Sequence, residues 1–222
     1  MMAQLPLSEP EPEPAHAAAP EFEPESELAQ APESEPAQEH EPERPALDPE
    51  VAARRDAALA QVRRYGDPVL RTRALAVTTF DGALRAEIAQ MSVLMENALG
   101  IGLAATQLGT LHRVLVYRVE PDSPANALVN PTLEWAGDEQ EWLEEGCLSL
   151  PGVHVEVERP IHVRVRAHDG YGEEIVVEAS GLEARVIQHE MDHLDGVLIL
   201  DRTPRDQRKT AMRILREQAQ AA

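Results

Sequence analysis

The helix that decides the fold is predicted at residues 180–196, which read SGLEARVIQHEMDHLDG. Ser180 and Glu183 have the spacing of a capping box, in which two side chains satisfy free backbone amides at a helix start. Gly196 comes directly after the pattern, where a glycine commonly ends a helix. We therefore predict a helix that begins after Ser180 and ends at Asp195.

This predicted helix carries His189, Glu190 and His193 in the pattern His-Glu-x-x-His. Residues four positions apart project from the same face of a helix, so the two imidazoles can bind one metal ion with the carboxylate beside them. The alternative is an exposed polar face that carries two unrelated histidines. The spacing favours metal binding, because this pattern rarely arises by chance in a chain with eight histidines.

A third protein ligand is needed, because a catalytic metal site typically has three of them and one position open for water. In metallopeptidases of the metzincin kind a third histidine follows six residues after the second, and Ile199 stands there. Further downstream, where other metallopeptidases have a glutamate, this chain has Arg213. Cys147, the one cysteine of the chain, is available as a soft thiolate ligand for Zn or Fe(II). Its alternatives are a buried structural residue and a nucleophile.

Residues 100–107, which read GIGLAATQ, form a third segment of interest. Gly100 and Gly102 permit close backbone approach, and the side-chain amide of Gln107 can donate to an oxyanion. The alternative is tight packing after a helix. Nucleotide binding fits poorly, because no strand precedes the glycines and no Walker lysine follows them.

Further helices and short strands surround these segments. A first helix is predicted from Val51 to Arg64, after a cap at Asp48. A second is predicted from the apolar stripe Leu84, Ile88, Met91 and Met95, with Gly100 as its cap. Strands are predicted at residues 114–117, 127–130, 161–167 and 175–177.

The N-terminal part differs from the rest in composition. Residues 1–50 hold 14 of the 40 acidic residues, 11 of the 18 prolines and one arginine, a formal charge of −13. Such a segment cannot bury enough apolar surface to offset its ordering entropy, so we expect a disordered tail over residues 1–48 and one catalytic domain over 49–222.

The whole chain has a net charge of −20, which argues against general nucleic-acid binding. We therefore expect no DNA partner. It has no run of 18 apolar residues and no leader typical of secretion or mitochondrial import. We therefore expect a cytoplasmic protein without a membrane partner.

Taken in this order, residues 100–107, 145–149 and 188–193 resemble the peptide deformylase family, and the similarity runs from about Tyr65 to Leu200. The resemblance implies an α+β fold, in which antiparallel β-sheets pack around a central helix carrying the His-Glu-x-x-His motif, with a C-terminal helix. It implies a hydrolase of N-terminal processing in protein biosynthesis. Such an enzyme removes the formyl group from the formylmethionine of newly synthesised polypeptides and releases formate.

The resemblance also implies roles for residues. One divalent metal ion is expected, Fe(II) in the cell with Zn, Ni or Co as substitutes, and it activates a water molecule. Glu190 takes the proton of that water and later delivers one to the departing amine, while the Gln107 amide and the Leu148 backbone N–H bind the oxyanion. The implied metal ligands are Cys147, His189 and His193.

Substrate contacts are implied around the same centre. Apolar residues, with Leu148 among them, form the methionine pocket, and two glycine backbones pair with the extended peptide. Glu145 is expected to pair with Arg159 and fix the Cys147 loop. The implied substrate-binding residues are Ile101, Gly102, Gly146, Leu182 and Val186.

The C-terminal helix, predicted over residues 203–218, admits two interpretations. Residues 202–217 carry six basic and two acidic residues. The helix is either a solvated end that docks weakly through Met212 and Leu215, or a ribosome contact in which clustered arginines bind ribosomal RNA.

Two functions stand beside an active deformylase. One is a metallopeptidase that uses the same helix, and the other is a catalytically silent relative that associates with the ribosome. The joint presence of Cys147, Gln107 and Glu190 argues against the silent relative.

Overall fold

The computed structural model describes residues 47–221, which form five α-helices and seven β-strands. The predicted acidic tail lies outside the described residues, except for Leu47 and Asp48. The helices are α1 Pro49–Leu59, α2 Gly82–Asn97, α3 Gly181–Leu194, α4 Ile199–Arg202 and α5 Arg205–Ala221. The strands are β1 Gly102–Ala104, β2 Val114–Tyr117, β3 Asn126–Ala136, β4 Gln140–Cys147, β5 Leu150–Pro160, β6 His162–His168 and β7 Glu174–Ser180. Short 3₁₀ turns occupy Pro68–Arg71 and Ala105–Leu108.

Two antiparallel sheets flank the central helix. Five strands form one sheet in the order β1-β2-β3-β6-β7, and β4 and β5 form a separate hairpin. Helix α3 carries the His-Glu-x-x-His motif, and its Ile187 and Leu194 are fully buried in a core shared with Leu115 and Val165. This arrangement confirms the predicted α+β class.

Strand β3 is longer than predicted. The sequence indicated a strand that stops before Pro131, whereas β3 continues to Ala136. Asn130 adopts φ 55°, and the register with β6 shifts between Val129 and Thr132. This irregularity accommodates the proline, whose missing N–H would otherwise interrupt a regular ladder.

The predicted capping box of α3 is wrong. The helix does begin after Ser180, but the Ser180 side chain caps no backbone amide, and its Oγ lies 2.8 Å from His162 Nδ1. Glu183 accepts a hydrogen bond from the Tyr117 hydroxyl at 3.0 Å. Tertiary partners therefore replace the local exchange of bonds, and Gly181 opens the helix with φ 57°.

Helix α1 ends at Leu59 and not at Arg64 as predicted. The chain that follows is bound elsewhere: the Arg63 amide donates to Gln107 O at 2.7 Å, and the Tyr65 amide donates to Ser149 O at 2.9 Å. These long-range bonds replace the bonds that would have extended the helix.

The predicted cap of α2 is off by one residue. Leu99, and not Gly100, adopts the left-handed conformation, with φ 57°. The amides of Leu99 and Gly100 donate to the carbonyl oxygens of Glu96 and Met95, which is the bonding pattern of a Schellman motif. Leu99 consequently projects at the end of α2 with about half of its surface exposed.

Helix α5 begins two residues later than predicted, because Thr203 is extended and separates it from α4. Ala211 and Leu215 are buried in a core shared with β5. The Gln218 side chain donates to Pro151 O at 2.9 Å. The helix is therefore docked along its apolar side. No helix within residues 47–221 is both long and apolar enough to span a membrane.

Candidate metal centre and active site

Two elements bring the three predicted metal ligands together. Cys147 is the last residue of β4, and His189 and His193 lie one turn apart on α3. One ligand atom from each residue lies within 4.8 Å of the others, and Cys147 Sγ is 3.2 Å from His193 Nε2. Tetrahedral coordination with bonds of about 2.0–2.3 Å separates ligand atoms by about 3.5 Å. The thiol and two imidazoles therefore fit a divalent transition metal in both donor chemistry and spacing.

The two imidazoles have different electrostatic surroundings. Burial lowers the pKa of His193 well below its ordinary value, and neighbouring His189 lowers it further, which keeps this ring neutral. Burial also acts to lower the pKa of His189, but hydrogen bonds with Cys147 and Glu145 outweigh it and raise that pKa well above its ordinary value. A cation among the three ligand atoms would compete with the His189 proton for the same nitrogen.

Glu145 orients His189 from behind. Its Oε2 lies 2.9 Å from His189 Nδ1, which leaves His189 Nε2 to face the sulfur. Arg159 donates two hydrogen bonds to this carboxylate, at 2.6 and 2.9 Å, and Arg185 donates a third at 2.8 Å. Burial raises the pKa of Glu145, but the bonds from Arg159 and His189 outweigh it and hold that pKa well below its usual range. The carboxylate is therefore a fixed anion.

The ion pairs continue beyond the one predicted between Glu145 and Arg159. Arg159 also donates to Asp192 at 2.9 Å, and Arg202 donates to the same carboxylate at 2.5 and 2.6 Å. Sequence analysis did not identify Arg185, Asp192 or Arg202. The available sequence signal was that Arg185 and Asp192 lie on the same predicted helix as His189 and His193.

Glu190 lies beside the ligand atoms and is 4 % exposed. Its Oε2 has no hydrogen-bond partner among the described residues. Burial raises the pKa of this carboxyl to about 7, because removal from water disfavours the charged form. Such a group can both accept and return a proton near neutral pH.

Gln107 is held with its amide nitrogen toward the ligand cluster. Its Oε1 accepts a hydrogen bond from the Ala104 amide at 2.9 Å. Its Nε2 lies 3.7 Å from Cys147 Sγ and donates to Ser149 Oγ at 3.2 Å. Ser149, which is fully buried, was not singled out from the sequence. The amide hydrogens are therefore directed toward the Cys147 sulfur and the Ser149 hydroxyl.

These groups line one cavity of about 390 Å³. It brings together every site residue predicted from the sequence except His193, which is 1 % exposed and contacts Cys147. Its wall also includes residues that sequence analysis did not assign to the site, among them Arg55, Leu59, Leu99 and Glu144.

A family model described as polypeptide deformylase matches residues 59–209. The chain belongs to the polypeptide deformylase family. The peptide deformylase of Acidothermus cellulolyticus is 46% identical over 160 residues, which cover 72% of this chain and 87% of that protein. The peptide deformylase of Thermotoga neapolitana is 49% identical over 142 residues, covering 64% of this chain and 85% of the relative.

Solved deformylase structures have the same fold. That of a peptide deformylase from Synechococcus elongatus in complex with actinonin has a TM-score of 0.66 at 42% identity, covering 68% of this chain and 84% of the other. A Plasmodium falciparum peptide deformylase complex with inhibitor has a TM-score of 0.65 at 33% identity and covers 70% and 97%. Polypeptide deformylases are metal-dependent hydrolases that remove formyl from N-formylmethionine peptides. The family and enzyme class predicted from the sequence are confirmed.

Gly102 leaves room for the Glu190 carboxylate of this deformylase, and we predict that an alanine there is damaging. A Cβ at residue 102 would lie 2.9 Å from Glu190 Cδ, inside van der Waals contact. Gly102→Ala should therefore displace the carboxylate and lower kcat/KM for a formyl peptide by about 10²-fold. Gly82→Ala is the control, because its Cβ meets nothing closer than 3.9 Å. Full activity in Gly102→Ala would contradict this account.

Proposed function

We propose that Cys147, His189 and His193 hold one divalent metal ion and that Glu190 carries the proton transfers of deformylation. The observation that supports this most directly is the grouping of the three ligand atoms within 4.8 Å, next to a buried carboxylate. A thiolate with two imidazoles suits Fe(II), Zn, Ni and Co. Fe(II) is the proposed metal in the cell, with the others as substitutes.

When bound, the cation supplies Lewis acidity toward the formyl oxygen and lowers the pKa of a water molecule. Glu190 accepts a proton as the water oxygen adds to the formyl carbon. The same carboxyl returns a proton to the methionine nitrogen as the carbon–nitrogen bond breaks, so formate and a free amine leave. Burial raises the pKa of this carboxyl toward neutrality, which favours both the acceptance and the return of a proton.

Gln107 and Leu148 are proposed to stabilise the negative oxygen that forms on the formyl carbon. The bond from the Ala104 amide fixes the Gln107 side chain before substrate arrives, so its amide needs little reorganisation during the reaction. The Leu148 backbone N–H is the second proposed donor, in the turn directly after Cys147. Loss of one such donor typically costs about 3–4 kcal/mol of transition-state stabilisation.

The methionine side chain is proposed to bind against Ile101, Leu182 and Val186. Ile101 and Leu182 are 44% and 53% exposed although they line the cavity, so an apolar substrate group would cover surface that is otherwise open to water. The backbones of Gly102 and Gly146 are proposed to pair with the extended peptide, since neither residue has a side chain that stands in its way.

The proposed partners are the N-formylmethionyl ends of nascent polypeptides, in the cytoplasm. Ribosome contact through α5 is a further proposal, and its support is the distribution of charge on the helix. The buried Ala211 and Leu215 face the core, while five basic residues of α5 are exposed to solvent. These residues are Arg205, Arg208, Lys209, Arg213 and Arg216.

The division into a tail over 1–48 and one catalytic domain over 49–222 stays a prediction.

Formate release from a short peptide tests the proposed function. Protein prepared without oxygen and loaded with Fe(II) or Ni should release formate from formyl-Met-Ala-Ser and leave the Met–Ala bond intact, because the metal centre acts on the formyl carbonyl. Formate is measured with a coupled dehydrogenase, and the peptide products are measured by mass spectrometry. Acetyl-Met-Ala-Ser is the matched control and should react far more slowly. Cleavage of the chain would indicate a metallopeptidase, and metal-loaded protein that releases no formate would overturn the proposal.

A further inference from the structure

One wall of the substrate cavity comes from outside the segment that the family model matches. The match begins at residue 59, whereas helix α1 spans Pro49–Leu59. Arg55, which precedes the match, and Leu59, its first residue, line the same cavity as Cys147 and Glu190. A helix that precedes the common core therefore borders the space where a peptide would bind.

Helix α1 is held firmly in this position. Asp48 caps it by accepting hydrogen bonds from the amides of Glu50 and Val51 at 2.9 and 3.4 Å. Ala58 is 3% exposed and belongs to the core cluster that contains α2. The chain beyond the helix is anchored by the bond from the Arg63 amide to Gln107 O. The backbone that presents Arg55 is thus fixed relative to the active site.

The other arginine of the cavity wall already has a carboxylate partner, and the exposed carboxylate of Glu144 lies near a histidine. Arg185 donates to Glu145, and Glu144 Oε1 lies 3.5 Å from His154 Nδ1. Within residues 47–221, Arg55 has no carboxylate within 4.0 Å and makes no side-chain hydrogen bond, although it is half-buried. An arginine that has lost part of its hydration and has no counter-ion favours a carboxylate, which it can bind through two parallel N–H···O bonds.

We infer that Arg55 is a specificity-determining residue, whose guanidinium binds an acidic side chain of the substrate at the second or third position of the peptide. The inference rests on the proposed function, because it places formylmethionine at the metal centre and the following residues along the cavity. An extended peptide advances about 3.3–3.6 Å per residue, so the residues after methionine pass along its wall. The selected side chains are aspartate and glutamate, and lysine is disfavoured by charge repulsion.

The matched control lies on the same helix. Arg54 precedes Arg55, is exposed and does not line the cavity. Arg54→Glu changes the net charge of the protein by the same amount as Arg55→Glu. A difference between these two variants therefore reports the position of the charge and not its long-range field.

The experiment compares kcat/KM for peptides that carry Asp or Lys at one position. Formyl-Met-Asp-Ala-amide is paired with formyl-Met-Lys-Ala-amide, and formyl-Met-Ala-Asp-amide with formyl-Met-Ala-Lys-amide. The amides remove the terminal carboxylate, which would otherwise supply the same chemistry. In the unaltered protein we expect the Asp peptide to be preferred about fivefold in at least one pair, since a partly exposed ion pair contributes at that level.

Arg55→Gln should bring that preference close to one, Arg55→Glu should reverse it, and Arg54→Glu should retain it. The ratio is taken within one protein sample, so differences in folded or metal-loaded fraction cancel. Equal kcat/KM for Asp and Lys peptides in the unaltered protein, or the same ratio in Arg55→Glu and Arg54→Glu, would overturn the role of Arg55 and leave the deformylase function standing. Absence of formate release from all four peptides would overturn both.

Discussion

Glu190→Gln is expected to lower kcat by about 10²- to 10⁴-fold and to leave one metal ion bound per chain. The glutamine keeps the volume and the packing of a side chain that is 4% exposed, but it cannot accept a proton from water. Glu190 is not one of the three residues that supply the grouped ligand atoms, so metal binding should persist. Glu190→Ala should lose turnover in the same way. Formate release gives the rate, and elemental analysis gives the metal content.

Glu183→Gln is the matched control for this prediction. Glu183 lies on the same helix but accepts its hydrogen bond from Tyr117, a bond that a glutamine oxygen can also accept. The control should therefore keep both activity and metal. If Glu190→Gln turned over at the rate of the control, Glu190 would not be the proton carrier; if it lost its metal, Glu190 would have to be a ligand.

Cys147→Ala is expected to lose both the metal and the activity. The substitution removes the one sulfur of the ligand group and leaves two imidazoles, fewer than the three protein ligands typical of a catalytic site. Metal content after dialysis should fall from one ion per chain to a small fraction, with turnover falling in proportion. His112→Ala is the control, because His112 is exposed and pairs with Glu87 away from the cavity.

A second pair of measurements separates a ligand from a nucleophile at residue 147. Cys147→Asp retains an anionic donor, so it should keep part of the metal and part of the turnover if the sulfur acts as a ligand. Because the chain has one cysteine, alkylation of the unaltered protein reports this sulfur alone. Bound metal should slow alkylation of Cys147. Full metal with no turnover in Cys147→Asp, together with alkylation unaffected by metal, would indicate a nucleophile instead.

The grouping of the three predicted ligand atoms could be anticipated in part, because two of them are related by local spacing. His189 and His193 share a helix face by geometry alone, and the chain has one cysteine to complete the set. The position of Gln107 followed from its segment, but the direction of its amide depends on the Ala104 amide and on Ser149, which lies far along the chain. Spacing carries no information about such distant partners.

The remaining errors have the same physical origin. The predicted capping box at Ser180 does not form, because the Ser180 hydroxyl pairs with His162 instead. No local sequence rule connects these two residues. The ion pair of Arg185 with Glu145 depends on how α3 packs on β4, and that of Arg202 with Asp192 depends on how α4 packs on α3. The periodicity of apolar residues identifies the buried faces of helices and strands. It does not predict which buried charged residues will pair when those faces pack.

Two backbone hydrogen bonds connect the segment of residues 60–67, which follows α1, to the proposed oxyanion donor and to its neighbour Ser149. The Arg63 and Tyr65 amides donate to the carbonyl oxygens of Gln107 and Ser149. The backbone of the proposed oxyanion donor is therefore held by a segment some forty residues away in the chain. An inserted residue or a proteolytic cut in this segment would consequently lower the rate of deformylation before it unfolded the protein. Substitutions in residues 60–67 would therefore change the reactivity without altering the reacting groups themselves.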